Sequence, residues 1–345
     1  MPSYLYTVLH PEIYHGRRAQ APFFEGWYFK LVSADERVKL AVIPGVILGE
    51  HGHAFIQVLD GAGGESAYYR FGLDELRAAE QHFELWIGEN HFSLTGMQLA
   101  LDRHPQAQDG LLAPDRRLAL HGQVQFGPPA PWPVSLGSPG IMGPYAWAPA
   151  MECYHGVLSF DHTLRGRLAL DDEAVDFDDG RGYIEKDWGR SFPQAWVWLQ
   201  SNHFHAPAQA GGPVGGGPGG TCLTGSIAII PWRGRSFNGF IVGLWHAGQL
   251  YRFASYTGAQ VERLQIDEQQ VRWTLRDRRL RLELTARRSR AGLLLGPEPL
   301  EMGKRVLESL SAQVEVRLSR LDGRVIFEGS GRHAGLEVYD AQRLV

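Results

Sequence analysis

Alternation of apolar and polar residues at every second position is the feature that most restricts what this chain can fold into. Six segments, separated in several places by Gly or Asp, show it: 39–43, 54–58, 66–71, 118–126, 280–287 and 314–318. Residues two apart share a face of a strand, so these segments predict half-buried strands of antiparallel sheets. Only 74–81 and 303–310 suggest short helices. Many short strands with Gly-rich turns predict an all-β fold of barrels or sandwiches.

A length of 345 residues is enough for a substantial core and for two domains. Segment 206–220 is a low-complexity run of Gly, Pro and Ala and predicts a flexible loop. The segments on either side of it, 195–204 and 221–230, have the pattern of hairpin partners. The domain boundary is therefore expected before them, near residue 190, which gives an N-terminal domain at 1–190 and a C-terminal domain at 191–345.

Charge and cysteine content exclude several classes of protein. A formal net charge of -4 gives no general attraction to nucleic acid, and no nucleic-acid-binding motif is present. Two cysteines do not make a disulfide framework, which favours a reducing compartment. The first residues lack the charged and apolar regions of a signal peptide, and no apolar run approaches the roughly 20 residues of a membrane span. We therefore expect a cytoplasmic protein, with peripheral membrane contact left open.

The segment 182–189, Gly-Tyr-Ile-Glu-Lys-Asp-Trp-Gly, combines acidic and aromatic side chains. In an extended conformation Tyr183, Glu185 and Asp187 share one face, and the intervening side chains share the other. Acids beside large aromatic faces suit the protonation of an apolar, electron-rich molecule and the stabilisation of the resulting cation. The alternative is a surface turn with solvated carboxylates, which Lys186 would also fit. The aromatic residues that follow favour burial.

The segment 22–30, Pro-Phe-Phe-Glu-Gly-Trp-Tyr-Phe-Lys, is the second unusual one. In a strand, Glu25, Trp27 and Phe29 share a face. A carboxylate between aromatic rings loses hydration, which would raise the pKa of Glu25 and keep a proton available near neutral pH. The alternative is a core strand in which Glu25 accepts a hydrogen bond from the backbone or from an arginine.

Two His-x-His pairs raise the question of a metal. On a strand both members of a pair share a face, so His51 with His53, or His203 with His205, could bind zinc. A third ligand at a convincing spacing is missing from both pairs, so we expect no metal. His203 is better interpreted as a proton-handling or hydrogen-bonding residue near a pocket. A Gly-x-Ser-x-Gly motif for a hydrolytic serine is also absent from the sequence.

These segments resemble the tocopherol cyclase family. The resemblance is carried by 22–30 and 182–189, continues through 192–193 and 196–204, and extends over most of the chain in order and separation. More distantly, the pattern Gly-Tyr-x-Glu-x-x-Trp-Gly is similar to a segment of carotenoid hydratases that has Asp at the position of Glu185. Those enzymes belong to a wider group with two lipocalin-like β-domains, some of whose members catalyse pericyclic ring closure.

The resemblance implies two lipocalin-like antiparallel domains, each a barrel or sandwich, in tandem, and an apolar small-molecule substrate. The implied reaction is an acid-catalysed, cofactor-independent cyclisation of a prenylated hydroquinone, or a related isoprenoid, to a chroman. A proton adds to an alkene, and the phenol oxygen captures the tertiary cation. Two alternatives stay open: an isoprenoid or carotenoid hydratase, in which water captures the cation, and a non-catalytic carrier of an apolar ligand.

The implied chemistry suggests roles for individual residues, and the role of Glu185 carries over the carboxylate of the family motif. Glu185 is expected to be the general acid, and Tyr183 to orient it or to relay its proton. Asp187 would either be a structural hydrogen-bond acceptor or deprotonate the phenol, and Glu25 is the rival acid. The residues expected to bind substrate are Trp27, Trp188, Trp196 and Trp198, which would line the pocket, and Gln200, Asn202 and His203, which would hold the quinol oxygens.

Overall fold

The computed structural model describes residues 3–102, 118–149, 151–205 and 220–345, and these residues form strands almost throughout. The first twelve strands are β1 (Phe23–Val32), β2 (Lys39–Leu48), β3 (His53–Asp60), β4 (Glu65–Phe71), β5 (Leu76–Ala78), β6 (Glu84–Ile87), β7 (Asn90–Ser93), β8 (Gly96–Leu101), β9 (Leu120–Phe126), β10 (Cys153–Leu170), β11 (Glu173–Asp176) and β12 (Arg181–Gly189). The remaining strands are β13 (Trp196–Ser201), β14 (His203–His205), β15 (Cys222–Trp232), β16 (Arg235–His246), β17 (Gln249–Ala254), β18 (Gln260–Ile266), β19 (Gln270–Arg276), β20 (Leu280–Arg287), β21 (Gly292–Pro297), β22 (Met302–Arg320) and β23 (Val325–Tyr339). Helical structure is short: α1 (Tyr4–Leu9) and the 3-10 helices Gly16–Arg18, Leu73–Glu75, Gly143–Trp147, Ser255–Thr257 and Ala341–Leu344.

The strands form two antiparallel sheets, which confirms the predicted all-β class. The first has twelve strands in the order β4-β3-β2-β1-β12-β10-β9-β8-β7-β6-β5, with β11 paired to β10. The second has eleven strands in the order β17-β16-β15-β13-β23-β22-β20-β19-β18, with β14 paired to β23 and β21 paired to β22. Over the described ranges neither sheet closes into a barrel.

Packing divides the chain into two compact units. Unit 1 comprises residues 1–192 and 292–306, and unit 2 comprises residues 193–291 and 307–345. Segment 292–306 thus packs with a sheet that lies more than a hundred residues earlier in the chain. A compact unit is not necessarily a domain that folds by itself, so the boundary expected near residue 190 stays a prediction.

Each unit buries an apolar cluster on one face of its sheet. In unit 1 this cluster includes Trp27, Phe29 and Ile184, which are at most 1% exposed. In unit 2 it includes Val197 and Leu199 of β13. Each fully buried large side chain contributes about 1.5–3 kcal/mol. Because side chains alternate along a strand, the residues between these core positions lie on the opposite face of each sheet.

The predicted strands are confirmed. β13 pairs with β15, as expected for the hairpin partners predicted at 195–204 and 221–230. Both predicted helices are wrong. Residues 74–81 contain the end of a 3-10 turn followed by β5, and residues 303–310 lie within β22. There, pairing with neighbouring strands satisfies the backbone and overrides a weak local helical pattern. The loop predicted at 206–220 lies, apart from residue 220, outside the described residues.

Among the residues that the structure describes, no helix combines the length and the apolar character that crossing a bilayer requires.

Candidate active site

Strand β12 occupies the middle of the first sheet, between β1 and β10. Its register places Glu185 opposite Tyr28 of β1 and opposite Val157 of β10. Asp187 lies opposite Gly26 of β1 and His155 of β10. Directly opposed residues of antiparallel strands share a face. The prediction that Tyr183, Glu185 and Asp187 share a face is therefore confirmed, and that face is the one opposite the apolar core of unit 1.

Glu185 and Asp187 flank one imidazole, and we call His155, Glu185 and Asp187 the carboxylate–imidazole cluster. His155 Nδ1 lies 2.8 Å from Asp187 Oδ1, and His155 Nε2 lies 3.6 Å from Glu185 Oε2. The hydroxyl of Tyr183 donates to Glu185 Oε2 at 2.5 Å. The phenol and one carboxylate are hydrogen-bonded to each other, and so are the imidazole and the other carboxylate. The 3.6 Å contact between His155 and Glu185 connects the two pairs.

Solvent access differs across the cluster. The side chain of Glu185 is 5% exposed, that of His155 13% and that of Asp187 24%. The Cys153 thiol, 3.9 Å from Asp187 Oδ1, adds a weak donor at the same end. Burial, and then the charge of Asp187, raise the pKa of Cys153 well above its usual value, so this group stays a thiol. Glu185 is the sheltered acid of the pair, and Asp187 is the one that solvent reaches.

The same three side chains could hold a metal ion, since their ligand atoms all lie within 4.8 Å of one another. One imidazole nitrogen and two carboxylate oxygens suit several divalent ions. The 2.8 Å separation of His155 Nδ1 and Asp187 Oδ1 is equally that of a charge-assisted hydrogen bond. Over the described ranges, neither His-x-His pair belongs to such a three-ligand group.

Glu25 lies on the opposite face of the sheet, in a buried ion pair. Lys186 Nζ is 2.5 Å from Glu25 Oε1, and both side chains are fully buried. The backbone N–H of His15 donates to both carboxylate oxygens at 2.9 Å. Burial by itself would raise the pKa of Glu25, but Lys186 and His15 outweigh burial and hold this pKa below its usual value. The expected rise in the pKa of Glu25 is therefore wrong, because its charge is compensated.

Trp27 and Trp188 lie on that same face, on either side of Lys186. The Lys186 ammonium is 4.8 Å from the ring centroid of Trp27 and 4.7 Å from that of Trp188. Their indole faces therefore already stabilise a cation that belongs to the protein. The sheet separates both rings from Glu185, and their role in lining a pocket stays a prediction. The cause of the separation is strand alternation: Trp188 is at an even-numbered position of β12, and Trp27 is opposite another, whereas Glu185 is at an odd-numbered one.

The remaining predicted binding residues belong to unit 2. Trp196, Trp198 and Gln200 alternate with the core residues of β13 and therefore lie on the sheet face opposite the core of that unit. Trp196 donates its indole N–H to Glu337 at 2.7 Å. His203 Nδ1 lies 2.9 Å from Asn202 Oδ1. All five predicted residues are buried, and their roles in binding stay predictions.

Sequence reasoning missed His155. It contacts Asp187 across 32 residues of sequence, and the contact exists only because β10 returns to pair with β12. A lone histidine in a strand carries no local signal of such a partner. The two carboxylates could be found from their spacing, but the group that joins them could not.

Comparisons with known proteins bear on this arrangement. A family model described as "Tocopherol cyclase-like" matches residues 123–339. "Tocopherol cyclase, chloroplastic" from Zea mays is 28% identical over 93 residues, which is 27% of this chain and 18% of that protein. "Probable tocopherol cyclase, chloroplastic" from Oryza sativa subsp. japonica is 30% identical over 95 residues, again 27% of this chain and 18% of that protein. The matched segments thus span less than a fifth of these relatives.

Solved structures show the same fold. The crystal structure of CghA aligns with a TM-score of 0.53 at 12% identity, and covers 92% of this chain and 88% of that chain. CghA with Sch210972 aligns with a TM-score of 0.52 at 11% identity, with the same coverage of both chains. At this level of identity the likeness is one of fold.

Proposed function

The chain belongs to the tocopherol cyclase-like family, and from that premise we propose that it catalyses acid-promoted cyclisation of a prenylated hydroquinone to a chroman. The observation that carries the proposal is the carboxylate–imidazole cluster: a sheltered acid, Glu185, and a solvent-accessible carboxylate, Asp187, flank one imidazole. An alkene protonation followed by phenol capture needs one group that gives a proton and another that receives one. The cluster supplies both.

The reaction conserves atoms and protons. Glu185 transfers its proton to the less substituted alkene carbon, which leaves a tertiary cation. The phenol oxygen bonds to that cation while its proton passes to Asp187. An imidazole can take up a proton at one nitrogen and release one at the other, so His155 can restore the proton to Glu185. The product is an isomer of the substrate, which agrees with an intramolecular lyase or isomerase that requires no cofactor.

The proton-donating state of Glu185 follows from its surroundings. A carboxylate that is 5% exposed loses hydration, and Asp187 adds a second negative charge to the same site. Loss of hydration and a nearby like charge both disfavour the charged form of a carboxyl group.

The aromatic rings on the same face as Glu185 stabilise the cation. The rings of Tyr28 and Tyr183 lie 6.4 Å apart at an interplanar angle of 70°. Tyr28 is directly opposite Glu185 on β1, and Tyr183 is two positions before Glu185 on β12. An aromatic face beside a desolvated cation contributes about 0.5–2 kcal/mol. These rings are on the side of the sheet that carries Glu185, whereas Trp27 and Trp188 are on the other side.

The direct test is incubation with a prenylated hydroquinone under reducing conditions, with chroman detected by mass-resolved chromatography. In D2O we expect one carbon-bound deuterium in each product, and in H2(18)O no labelled oxygen. Labelled oxygen would identify a hydratase instead. Tight binding without any product would contradict the proposal and favour a carrier.

Substitution of each of the two candidate acids, Glu185 and Glu25, shows which one donates the proton. Glu185→Gln should lower kcat by about 10²–10⁴-fold, the usual contribution of a general acid. The matched control is Glu173→Gln, an exposed carboxylate on β11, which should retain the rate of the unaltered protein. Full activity in Glu185→Gln would remove this residue from the acid role. A folded but inactive Glu25→Gln, beside an active Glu185→Gln, would transfer the role to Glu25.

Treatment with a chelator distinguishes a proton relay from a metal centre at the same cluster. We expect dialysis against a strong chelator to leave kcat unchanged, since the proposed reaction uses only side-chain protons. Loss of activity that Zn²⁺ or Mg²⁺ restores would show that the cluster acts through a metal.

A further inference from the structure

Gly26 is the one partly open position in a buried stretch of β1. Residues 24, 25, 27 and 28 are all buried, whereas Gly26 between them is half-buried. A glycine inside a strand weakens it, because it has no side chain to pack and loses more backbone freedom on folding. Such a glycine often marks a bulge, a tight bend, or a site where a ligand or another backbone approaches closely.

Crowding by the protein does not account for Gly26. A Cβ added there would meet no atom of the described residues closer than Pro44 O, at 3.8 Å. Gly45, which lies directly opposite on β2, shows the contrast. A Cβ there would lie 2.4 Å from the ring of Phe55 and 2.8 Å from Glu25 O. Gly45 is required by packing, and Gly26 leaves room that the described part of the protein does not use.

Backbone conformation does not require a glycine at position 26 either. The φ angle of Gly26 is not positive. It is paired with Asp187 of β12 on one side and with Gly45 of β2 on the other. An alanine or a valine could therefore adopt the same backbone without strain.

The room above Gly26 adjoins the carboxylate–imidazole cluster. Asp187 is the direct cross-strand neighbour of Gly26 on β12, so the two α-carbons are about 4.5–5.5 Å apart. Phe24 and Tyr28, two positions away along β1, lie on the same face. The room is thus bounded by two aromatic residues of β1, by the ring of Phe55 over Gly45, and by the most solvent-accessible carboxylate of the cluster.

We propose that Gly26 forms the floor of a subsite for the hydroxyl-bearing aromatic ring of the substrate, with the ring hydroxyl donating to Asp187. A planar ring can lie against bare backbone only where no Cβ projects. Aromatic neighbours favour edge or offset contacts with such a ring. This inference rests on the proposed function for the prenyl tail and the ring closure, and assigns Asp187 as the acceptor of the phenol proton.

The test adds side-chain volume at Gly26. Gly26→Ala and Gly26→Val should fold as the unaltered protein does, and valine suits a strand better than glycine. The control is Gly137→Ala, where an added Cβ meets no described atom within 4 Å and which lies outside the strands. Binding of trimethylhydroquinone, which carries the ring but no prenyl tail, is measured under anaerobic conditions by titration calorimetry. Thermal unfolding checks the fold of each variant.

We expect the Kd for trimethylhydroquinone to rise at least tenfold in Gly26→Val and less in Gly26→Ala, with no change in Gly137→Ala. Folded Gly26→Val that binds the probe as tightly as the unaltered protein would overturn the inference, even if chroman formation is intact. If the unaltered protein binds the probe and the valine blocks it, but no prenylated hydroquinone is turned over, the subsite stands and the cyclase proposal fails. Failure of the unaltered protein to bind the probe would also overturn the subsite.

Discussion

His155 is the residue that turns two separate carboxylates into one site. Its Nδ1 lies 2.8 Å from Asp187 Oδ1, and its Nε2 faces Glu185 Oε2 at 3.6 Å. The sequence motif contains both acids but gives no sign of the imidazole between them. The reason is physical: the spacing of Glu185 and Asp187 is local, whereas the position of His155 depends on how two long strands pair.

His155→Asn tests the proton relay. An asparagine amide can still donate to Asp187 from near the position of Nδ1, but nothing then replaces Nε2 beside Glu185. We expect kcat to fall by about 10²–10⁴-fold, the range for loss of a proton-transfer group, while the Kd for substrate changes little. The control is His121→Asn, at a histidine 3.1 Å from Asp102 whose side chain is 44% exposed. A kcat within twofold of the unaltered enzyme would show that His155 does not carry the proton.

His162 is a second buried histidine, and it should make stability depend on pH. Burial, and then the charge of Arg181, lower the pKa of His162 to about 3 from 6.5. Between these values the unfolded chain binds a proton that the folded protein does not. Stability therefore falls as the pH drops below about 6.5. From pH 7.5 to about pH 5 the loss from this group is about 2 kcal/mol.

Urea unfolding at both pH values, in the unaltered protein and in His162→Gln, measures that loss. Glutamine does not titrate, so the variant should lose about 2 kcal/mol less than the unaltered protein on acidification. His82→Gln is the control, because the side chain of His82 is 66% exposed. Equal losses in the unaltered protein and in His162→Gln would show that His162 is protonated in the folded state.

At the level of elements, β12 serves two purposes with its two faces. Its odd-numbered positions, from Tyr183 to Asp187, carry the candidate chemistry, and Lys186 between them closes an ion pair with Glu25. Alternation alone predicts this division. The partner across the sheet is set by register, so the sequence could suggest a desolvated Glu25 but not the cation that compensates it. The helical pattern at 303–310 failed for a related reason, since strand pairing is not visible locally.

The two buried charges of Glu25 and Lys186 should depend on each other for the stability of unit 1. Removing one partner leaves a buried charge uncompensated, so Glu25→Gln and Lys186→Met should each lower the free energy of unfolding by about 3–5 kcal/mol. The double variant leaves no buried charge and should lose much less than the sum. Urea unfolding of all four proteins gives the coupling.

An exposed ion pair provides the comparison for that cycle. Arg287 Nη2 and Glu315 Oε1 are 2.9 Å apart on side chains that are 61% and 56% exposed, and their coupling should stay within about 1 kcal/mol. Additive losses in the Glu25 and Lys186 variants would contradict the idea that the two charges depend on each other.

On the scale of the whole molecule, unit 1 is not a continuous stretch of chain. Segment 292–306 completes it, and the backbone of β21 within that segment forms hydrogen bonds with side chains of β3 and β4. The side-chain amide of Gln57 donates to Leu295 O at 2.9 Å and accepts from Leu295 N at 2.8 Å. The hydroxyl of Ser66 donates to Leu293 O. Sequence patterning found the strands of both units, but a return of the chain across more than two hundred residues has no periodic signature.

A fragment of residues 1–192 should therefore be less stable than the same residues in the full chain. Gln57 is 4% exposed and makes both of its amide hydrogen bonds to the backbone of Leu295, so the fragment loses both, at about 0.5–1.5 kcal/mol for each. Protease resistance and urea unfolding, followed by tryptophan fluorescence, compare the fragment with the full protein. Fusing residues 292–306 to the fragment through a Gly/Ser linker should restore much of the loss, and a fusion carrying Gln57→Leu should restore less. If residues 1–192 alone resist protease and urea as well as they do in the full chain, the boundary near residue 190 delimits a self-sufficient domain and the returning segment is dispensable to it.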